Sequence, residues 1–291
     1  MQTNNENLKI AIQKSGRLSQ ASLNLLKNIG LNFEIFERSL FVKCENFPLE
    51  IILVRDDDIP EMVQDFVVDL GIVGDNVIIE SSSEVVDLMS LDFGKCRFVI
   101  AVTNESRIKK LFDLNGKKIA TSYIATLRSF FEINKIKAEI IPIKGAVEVA
   151  PSLSMADAIA DFTSTGSTLR AHDMKEIYEI YKSEAKLISN PKTLKIKEKK
   201  NYIDKLKMRI EGVLYAKKNK YIMMNAPEKS VAQIVKILPG VDSPTVVPLN
   251  KKGMVAIHSV VPENIFWKVI ENLKAVGASG ILVSPIEKMI M

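Results

Sequence analysis

Cysteine and histidine are both scarce, with two of each in 291 residues. Cys44 and Cys96 stand apart, with no Cys-x-x-Cys and no histidine at a ligand spacing. They support neither a zinc site nor a disulfide framework, and read as buried thiols in a reducing compartment. His172 reads as an exposed helix residue and His258 as a strand residue. Neither has a serine or cysteine partner at a recognisable spacing, which argues against a hydrolytic triad. No Gly-x-x-x-x-Gly-Lys-Ser/Thr occurs, against ordinary kinase or ATPase chemistry, and no complete Gly-x-Gly-x-x-Gly follows a strand, against a nicotinamide dinucleotide. No apolar run approaches bilayer thickness, and Met1 to Asn7 is polar, without a signal-peptide core. A cytoplasmic protein with no membrane partner is expected. Neither charge sign dominates: 40 Lys and Arg against 35 Asp and Glu leave +5. Lysines are spread along the chain, densest over Lys192 to Lys207, without interleaved aromatics. No nucleic-acid partner is expected, and the balance suits anionic small molecules.

What is present is a globular composition, 47% hydrophobic and 26% charged, long enough for two or three domains. Leu8 to Ile12 alternates like a strand, and Gln13-Lys14-Ser15-Gly16-Arg17-Leu18 turns out of it into an amphipathic helix. Lys14 and Arg17 thus lie where open α/β sheets bind anions, or are two solvent-facing cations on a glycine turn. Phe33 to Val42 and Leu49 to Val54 read as strands. The acids of Arg55-Asp56-Asp57-Asp58-Ile59-Pro60 favour capping of a helix over Pro60 to Asp65 rather than a metal site. Val67 to Val73 is a buried strand, followed by Gly74-Asp75-Asn76 and a helix from Val77. Leu88 to Leu91 and Cys96 to Val102 are further strands.

Near Thr103 the alternation restarts. Ile108 to Phe112 and Thr126 to Asn134 are expected as helices, Lys118 to Ala120 and Ala138 to Ile143 as strands, and Tyr178 to Ser189 as a returning strand. The restart predicts two similar parallel-sheet α/β lobes with a cleft between them. Within the second of these, Ile159 to Leu169 runs from apolar residues to Asp161, then through Thr163, Ser164, Thr165, Gly166, Ser167 and Thr168 to helix-forming sequence at Leu169. That order allows a phosphate cradle of backbone N–H groups and hydroxyls with an acid beside it, or simply turn and cap chemistry. After Pro191 a helix is expected over Tyr202 to Ile210, bridging back across the first lobe. From Gly212, strands (Val213 to Ala216, Tyr221 to Asn225, Thr245 to Leu249, Val255 to Ser259, Gly280 to Pro285), helices (Ser230 to Leu238, Glu263 to Val276) and a Pro239-Gly240 turn spell a ferredoxin-like βαββαβ module suited to regulation or assembly.

Several segments carry a resemblance: Ile10 to Leu18, Val54 to Pro60, Asp69 to Asn76, Val-Glu-Val-Ala-Pro at Val147 to Pro151, Asp161 to Leu169, Lys220 to Met224, Ser243 to Thr245 and Ile281 to Met289. Together and in order they resemble the ATP phosphoribosyltransferases, in the long, self-regulated form, over essentially the whole chain. The resemblance implies an α/β fold of two periplasmic-binding-protein-like lobes plus a C-terminal ferredoxin-like (ACT-like) regulatory domain. The implied boundaries are 1–102 with a return segment 190–211, then 103–189, then 212–291. It implies condensation of ATP with 5-phosphoribosyl 1-pyrophosphate to N1-(5-phosphoribosyl)-ATP and pyrophosphate, the first step of histidine biosynthesis, feedback inhibited by histidine. Mg²⁺ is implied without dedicated protein ligands, carried by the substrate and faced by Glu148 and Asp161. Thr163 to Thr168 would cradle the 5-phosphate and Asp161 would hold the ribose hydroxyls. Glu148, Arg17 and Lys14 would complete the catalytic group, and Arg17, Arg55, Gly74, Asp75 and Tyr123 would meet ATP. Asn225, Ser243, Thr245, Ala278 and Ser279 would line a histidine site between neighbouring subunits of a dimer or hexamer.

Two positions depart from the family pattern: Ile124 and Ser152 stand where Pro and Arg are common, and Glu80 to Leu91 looks short for the long form. The competing classes are a solute-binding or regulatory protein on the same two lobes without catalysis, and a phosphoribosyltransferase of another acceptor.

Overall fold

A computed structural model describes residues 7–36, 39–238, 240 and 243–291. Two compact units divide the chain, one of Met1–Lys27 with Leu31–Ile203 and the other of Asn28–Gly30 with Asp204–Met291.

The first unit holds two sheets. One opens with β1 (Leu8–Gln13), α1 (Ser19–Asn28), β2 (Phe41–Lys43), β3 (Leu49–Val54), α2 (Ile59–Gln64), β4 (Leu70–Gly74), α3 (Asp75–Ser81) and β5 (Val86–Ser90). The chain then crosses to β6 (Cys96–Thr103), β7 (Lys118–Thr121), α4 (Ile124–Asn134), β8 (Glu139–Pro142), β9 (Ala158–Thr163), α5 (Ser167–Ala171) and β10 (Met174–Ser183). It returns in β11 (Ala185–Ser189) before α6 (Lys197–Lys218). The sheet orders are β2-β3-β1-β4-β11-β5 and β10-β6-β9-β7-β8. Strands β3, β1 and β4 are parallel, as are β8, β7 and β9, so each set ends its strands on one edge.

Continuous apolar runs make strands buried on both faces. On β6, Phe98, Ile100 and Val102 join one core with Leu127 and Phe131 of α4, while Val99 and Ala101 join another with Ile159 and Leu169. Ala11, Ile52, Val73 and Ile188 pack under α2 and α3 in the first sheet. Asp69, nearly fully buried, accepts from the Lys199 ammonium at 2.8 and 3.0 Å, from the Thr193 hydroxyl and from the Lys9 amide. The start of α6 is thereby tied to the first sheet.

The second unit contains β12 (Asn219–Pro227), α7 (Val231–Ile237), β13 (Thr245–Pro248), β14 (Met254–Pro262), α8 (Glu263–Ala275) and β15 (Ser279–Pro285), with sheet order β13-β14-β12-β15. This is the ferredoxin-like module. Ile222, Met224, Ile257, Val261, Ile234 and Leu273 form its core. The fold is the expected α/β class.

Several expectations are corrected. The strand over Phe33 to Val42 shrinks to Phe41–Lys43, because the edge strand β2 pairs with β3 over three residues only; Glu37 and Arg38 lie outside the described residues. Val213 to Ala216 is helical, as α6 continues a buried stripe of Ile203, Leu206, Ile210, Val213 and Ala216 at spacings of three and four. Tyr178 to Ser189 is two strands in different sheets, starting earlier at Met174, and Ile108 to Phe112 gives way to a 3₁₀ turn at Leu111–Leu114. The crossings at 91–95 and at Glu184 put Cys96–Thr103 in the second sheet and Ala185–Ser189 in the first. The sheets therefore divide near those crossings rather than at 102/103 and 189/190. Cys96 is buried but Cys44 is only half-buried, and His172 is half-buried just past α5. Of the Pro239-Gly240 turn, Pro239 lies outside the described residues.

Candidate active site

The loops that leave the carboxyl ends of the parallel strands carry nearly all the charged and hydroxyl groups singled out in the sequence, and such edges are where open α/β sheets bind ligands. After β1, the Leu18 amide donates to Gln13 Oε1 (2.9 Å) and the Ser19 hydroxyl to the Lys14 carbonyl (3.0 Å), fixing the turn that presents Arg17. After β4, the Asn76 amide donates to the Ser183 hydroxyl at the strand crossing (3.0 Å). Gln13, Arg17, Asp56, Gly74, Asn76, Cys96 and Tyr123 line a narrow cavity where the two sheets meet. Cys96 also borders a roomier one of about 560 Å³, lined by Ser164, Ser183, Lys95, Arg97 and Lys182. That volume lies in the range that takes small-molecule ligands.

Asp161 directly follows the buried run Ala158, Ile159 and Ala160 of β9. Its Oδ1 accepts from the Phe162 amide at 2.7 Å, yet burial outweighs that bond and pushes its carboxyl up to about 6. Glu148, on a 3₁₀ turn over Val147–Val149, raises it further, and Arg17 opposes the rise. Those three side chains, two from loops and Asp161 from β9, form one electrostatic group. Tyr123 packs edge-on against Phe98 (5.7 Å) and Phe162 (4.7 Å). Burial, then the Asp161 charge, lifts its phenol to about 12, so it stays protonated. The Cys96 thiol is raised by burial, with the Arg17 guanidinium and the Ser183 hydroxyl in reach of it.

The hydroxyl loop is open where a ligand needs it. Ser164, Thr165, Ser167 and Thr168 are exposed, and Thr163 and Gly166 are buried beneath them. Gly166 holds φ +72°, a left-handed conformation that suits glycine, and its amide donates to Thr163 Oγ1 at 2.9 Å. The Ser164 and Thr165 amides have no acceptor among the described residues, which leaves donors beside the start of α5. Small residues, free amides and a helix start make an anion cradle. The helix starts at Ser167, two residues before the expected Leu169.

Arg17, Glu148, Asp161, Tyr123, Gly74 and the loop are thus brought to one region. Lys14 and Arg55 are exposed and line neither cavity, and Asp75 faces Lys186, Asp87 and Glu184 instead. The acidic run departs from its expected role: Asp58 sits at the N-cap of α2 without a side-chain capping bond, whereas Asp56 lines the cavity. Gln13, Asp56, Asn76 and Cys96 are cavity residues that the sequence reading did not assign. For Asp56 the signal was available, since the acid lies two residues past the end of a parallel strand. Ile124 starts α4 where a proline would fit, and Ser152 is exposed.

In the second unit, Ser243 and Thr245 line a cavity with Tyr221, His258 and Ser259, and the Tyr221 hydroxyl meets His258 Nδ1 at 2.6 Å. Asn225 and Ser279 pair across β12 and β15 outside that cavity, and Ala278 is buried beside them.

A family model described as ATP phosphoribosyltransferase matches residues 55–212. An ATP phosphoribosyltransferase of Bacteroides fragilis is 44% identical over 284 residues, 98% of this chain and 100% of the relative. The chain belongs to the ATP phosphoribosyltransferase family. An ATP phosphoribosyltransferase of Cytophaga hutchinsonii is 46% identical over 97% of this chain and 98% of its own. A second model, the family's C-terminal domain, matches residues 216–288, which is the ferredoxin-like module. Among solved structures, a chain of the ATP phosphoribosyl transferase (HisG:HisZ) complex from Thermotoga maritima is 30% identical, with TM-score 0.61. The match covers 98% of that chain but 70% of this one. No helix among the described residues is long and apolar enough to cross a membrane.

Proposed function

We propose that the cleft joins N1 of the adenine of ATP to C1 of 5-phosphoribosyl 1-pyrophosphate, releasing pyrophosphate and opening histidine biosynthesis in the cytoplasm. The observation that carries this reading is the open Thr163–Thr168 loop beside Asp161, Glu148 and Arg17 in a chain of this family. The loop's amides and hydroxyls take the 5-phosphate. Asp161 takes the ribose hydroxyls.

As the C1–O bond breaks, positive charge grows on the ribose and negative charge on the pyrophosphate, so the Asp161 and Glu148 carboxylates stabilise the sugar and Arg17 the phosphates. Lys14 and Arg55 lie on the same edge, able to add positive field, with Gly74, Asp75 and Tyr123 on the nucleotide side. Adenine N1 is itself the nucleophile, so alignment rather than a protein base supplies the acceleration.

Mg²⁺ fits this site in one way. Among the described residues no three acidic, histidine or cysteine side chains cluster as a cage, but Asp161 and Glu148 are neighbouring oxygen donors. That suits a cation held mainly by substrate phosphates. When bound it would supply charge to the departing pyrophosphate.

For the module over 216–288 we propose histidine binding at Ser243 and Thr245, completed by Asn225, Ala278 and Ser279 of a neighbouring copy in a dimer or hexamer. The separation of these two groups within one chain supports a site shared between copies.

The test is pyrophosphate release from ATP, Mg²⁺ and 5-phosphoribosyl 1-pyrophosphate, with and without histidine. Release that requires all three and falls with histidine is expected. Ligand binding without release would favour a solute receptor, and release with another acceptor in place of ATP a different transferase.

A further inference from the structure

Below the hydroxyl loop lies a charged brace to which the reading above gives no role. Arg97 on β6 is paired in register with Thr163, whose hydroxyl accepts from the Gly166 amide. Its guanidinium grips Glu176 with two bonds, 2.7 and 2.9 Å, and reaches Glu179 at 3.1 Å. Two strand residues three apart ordinarily point to opposite faces. The register shift in β10 between Glu176 and Tyr178 lies between the two glutamates and brings both carboxylates to one arginine, as bulges do when they re-aim side chains. Glu176 also backs the loop: a methyl group on Gly166 would lie 3.2 Å from its Oε1 and 3.0 Å from Arg170 Nη1.

We propose that Arg97 and Glu176 act as a unit that positions the phosphoribosyl-binding loop, setting affinity for 5-phosphoribosyl 1-pyrophosphate without touching it. This rests on the proposed function of the loop. Arg97 is a poor direct ligand for the phosphate because two carboxylates already occupy its fork. The brace is also a poor stability element, since its side chains are 29–38% exposed and exposed ion pairs contribute little to folding. What it does fix is geometry, through Thr163 on one side and Gly166 on the other.

The experiment compares Arg97→Lys, Glu176→Gln and the double variant with the wild type, using the full chain throughout. It reads thermal melting, calorimetric binding of 5-phosphoribosyl 1-pyrophosphate and steady-state kinetics for both substrates. Each single variant is expected to melt near the wild type and to weaken 5-phosphoribosyl 1-pyrophosphate binding about 5- to 20-fold, while KM for ATP changes less than about twofold. The double variant should lose about as much as either single one, because the residues work through one contact. Equal losses for both substrates, additive losses in the double variant, or unchanged binding in melting-competent variants would overturn the inference. A wild type that does not bind 5-phosphoribosyl 1-pyrophosphate would instead overturn the function proposed for the loop.

Discussion

Asp161 shows at the scale of one residue how function opposes stability. Its carboxyl is raised from 3.8 to about 6, chiefly by burial. A group that binds its proton more tightly when folded leaves stability highest below its unfolded value. Stability then falls as pH rises from about 4 to about 6, and levels off above. The charged form, which the proposed function requires beside a cationic ribose, is therefore the form the folded chain holds at a cost. Asp161→Asn should stabilise the protein at pH 8 by on the order of 1–2 kcal/mol, after discounting for the partial exposure of the site, and by about half as much at pH 5. It should also lower kcat/KM by about 100-fold or more. In the wild type, kcat/KM for 5-phosphoribosyl 1-pyrophosphate should fall on the acid side with a midpoint near 6. Urea titrations at the two pH values check the first expectation, and equal effects at both would contradict it.

At the scale of elements, the start of α4 is held by an acid from the other lobe. Glu80 of α3 accepts from the Ala125 amide (3.0 Å), the Thr126 amide (2.9 Å) and the Thr126 hydroxyl (2.7 Å). Tyr123, at the N-cap of α4, supplies no capping bond of its own. A carboxylate on those amides satisfies orphan donors and complements the helix dipole. Glu80→Ala should cost about 1–3 kcal/mol. Because Tyr123 directly precedes the capped turn, KM for ATP should rise as well. A variant that melts like the wild type with unchanged KM for ATP would show that the cap holds nothing in place. No sequence pattern announced this cap, because its donor and acceptors are over forty residues apart in different lobes. The same limit applies to α6. Val213 to Ala216 by themselves fit a strand, and only the stripe begun at Ile203 shows that the helix continues.

At the scale of the whole molecule, what could be read early was whatever local periodicity determines: the alternation of strands and helices and the βαββαβ order of the last module. Sheet membership was not legible in this way. The chain crosses between sheets within 91–95 and at Glu184, and hydrogen bonds such as Leu91 N–H to the Ala185 carbonyl (2.9 Å) and Asp75 N–H to the Glu184 carbonyl (2.9 Å) tie the crossings together. Those crossings bring Cys96 and Ser183 beside Arg17 and Asn76, so residues that looked inert in sequence border the cleft. The loop from Thr163 to Thr168 was legible because its chemistry is local, whereas the groups meant to act on it came together only through the fold. The most direct measurement is a crystal structure of the full chain with 5-phosphoribosyl 1-pyrophosphate. The 5-phosphate should lie on the amides of Ser164 to Thr168 with the ribose hydroxyls bonded to Asp161. A phosphate seated on Lys14 and Arg55, with the loop empty, would contradict the account.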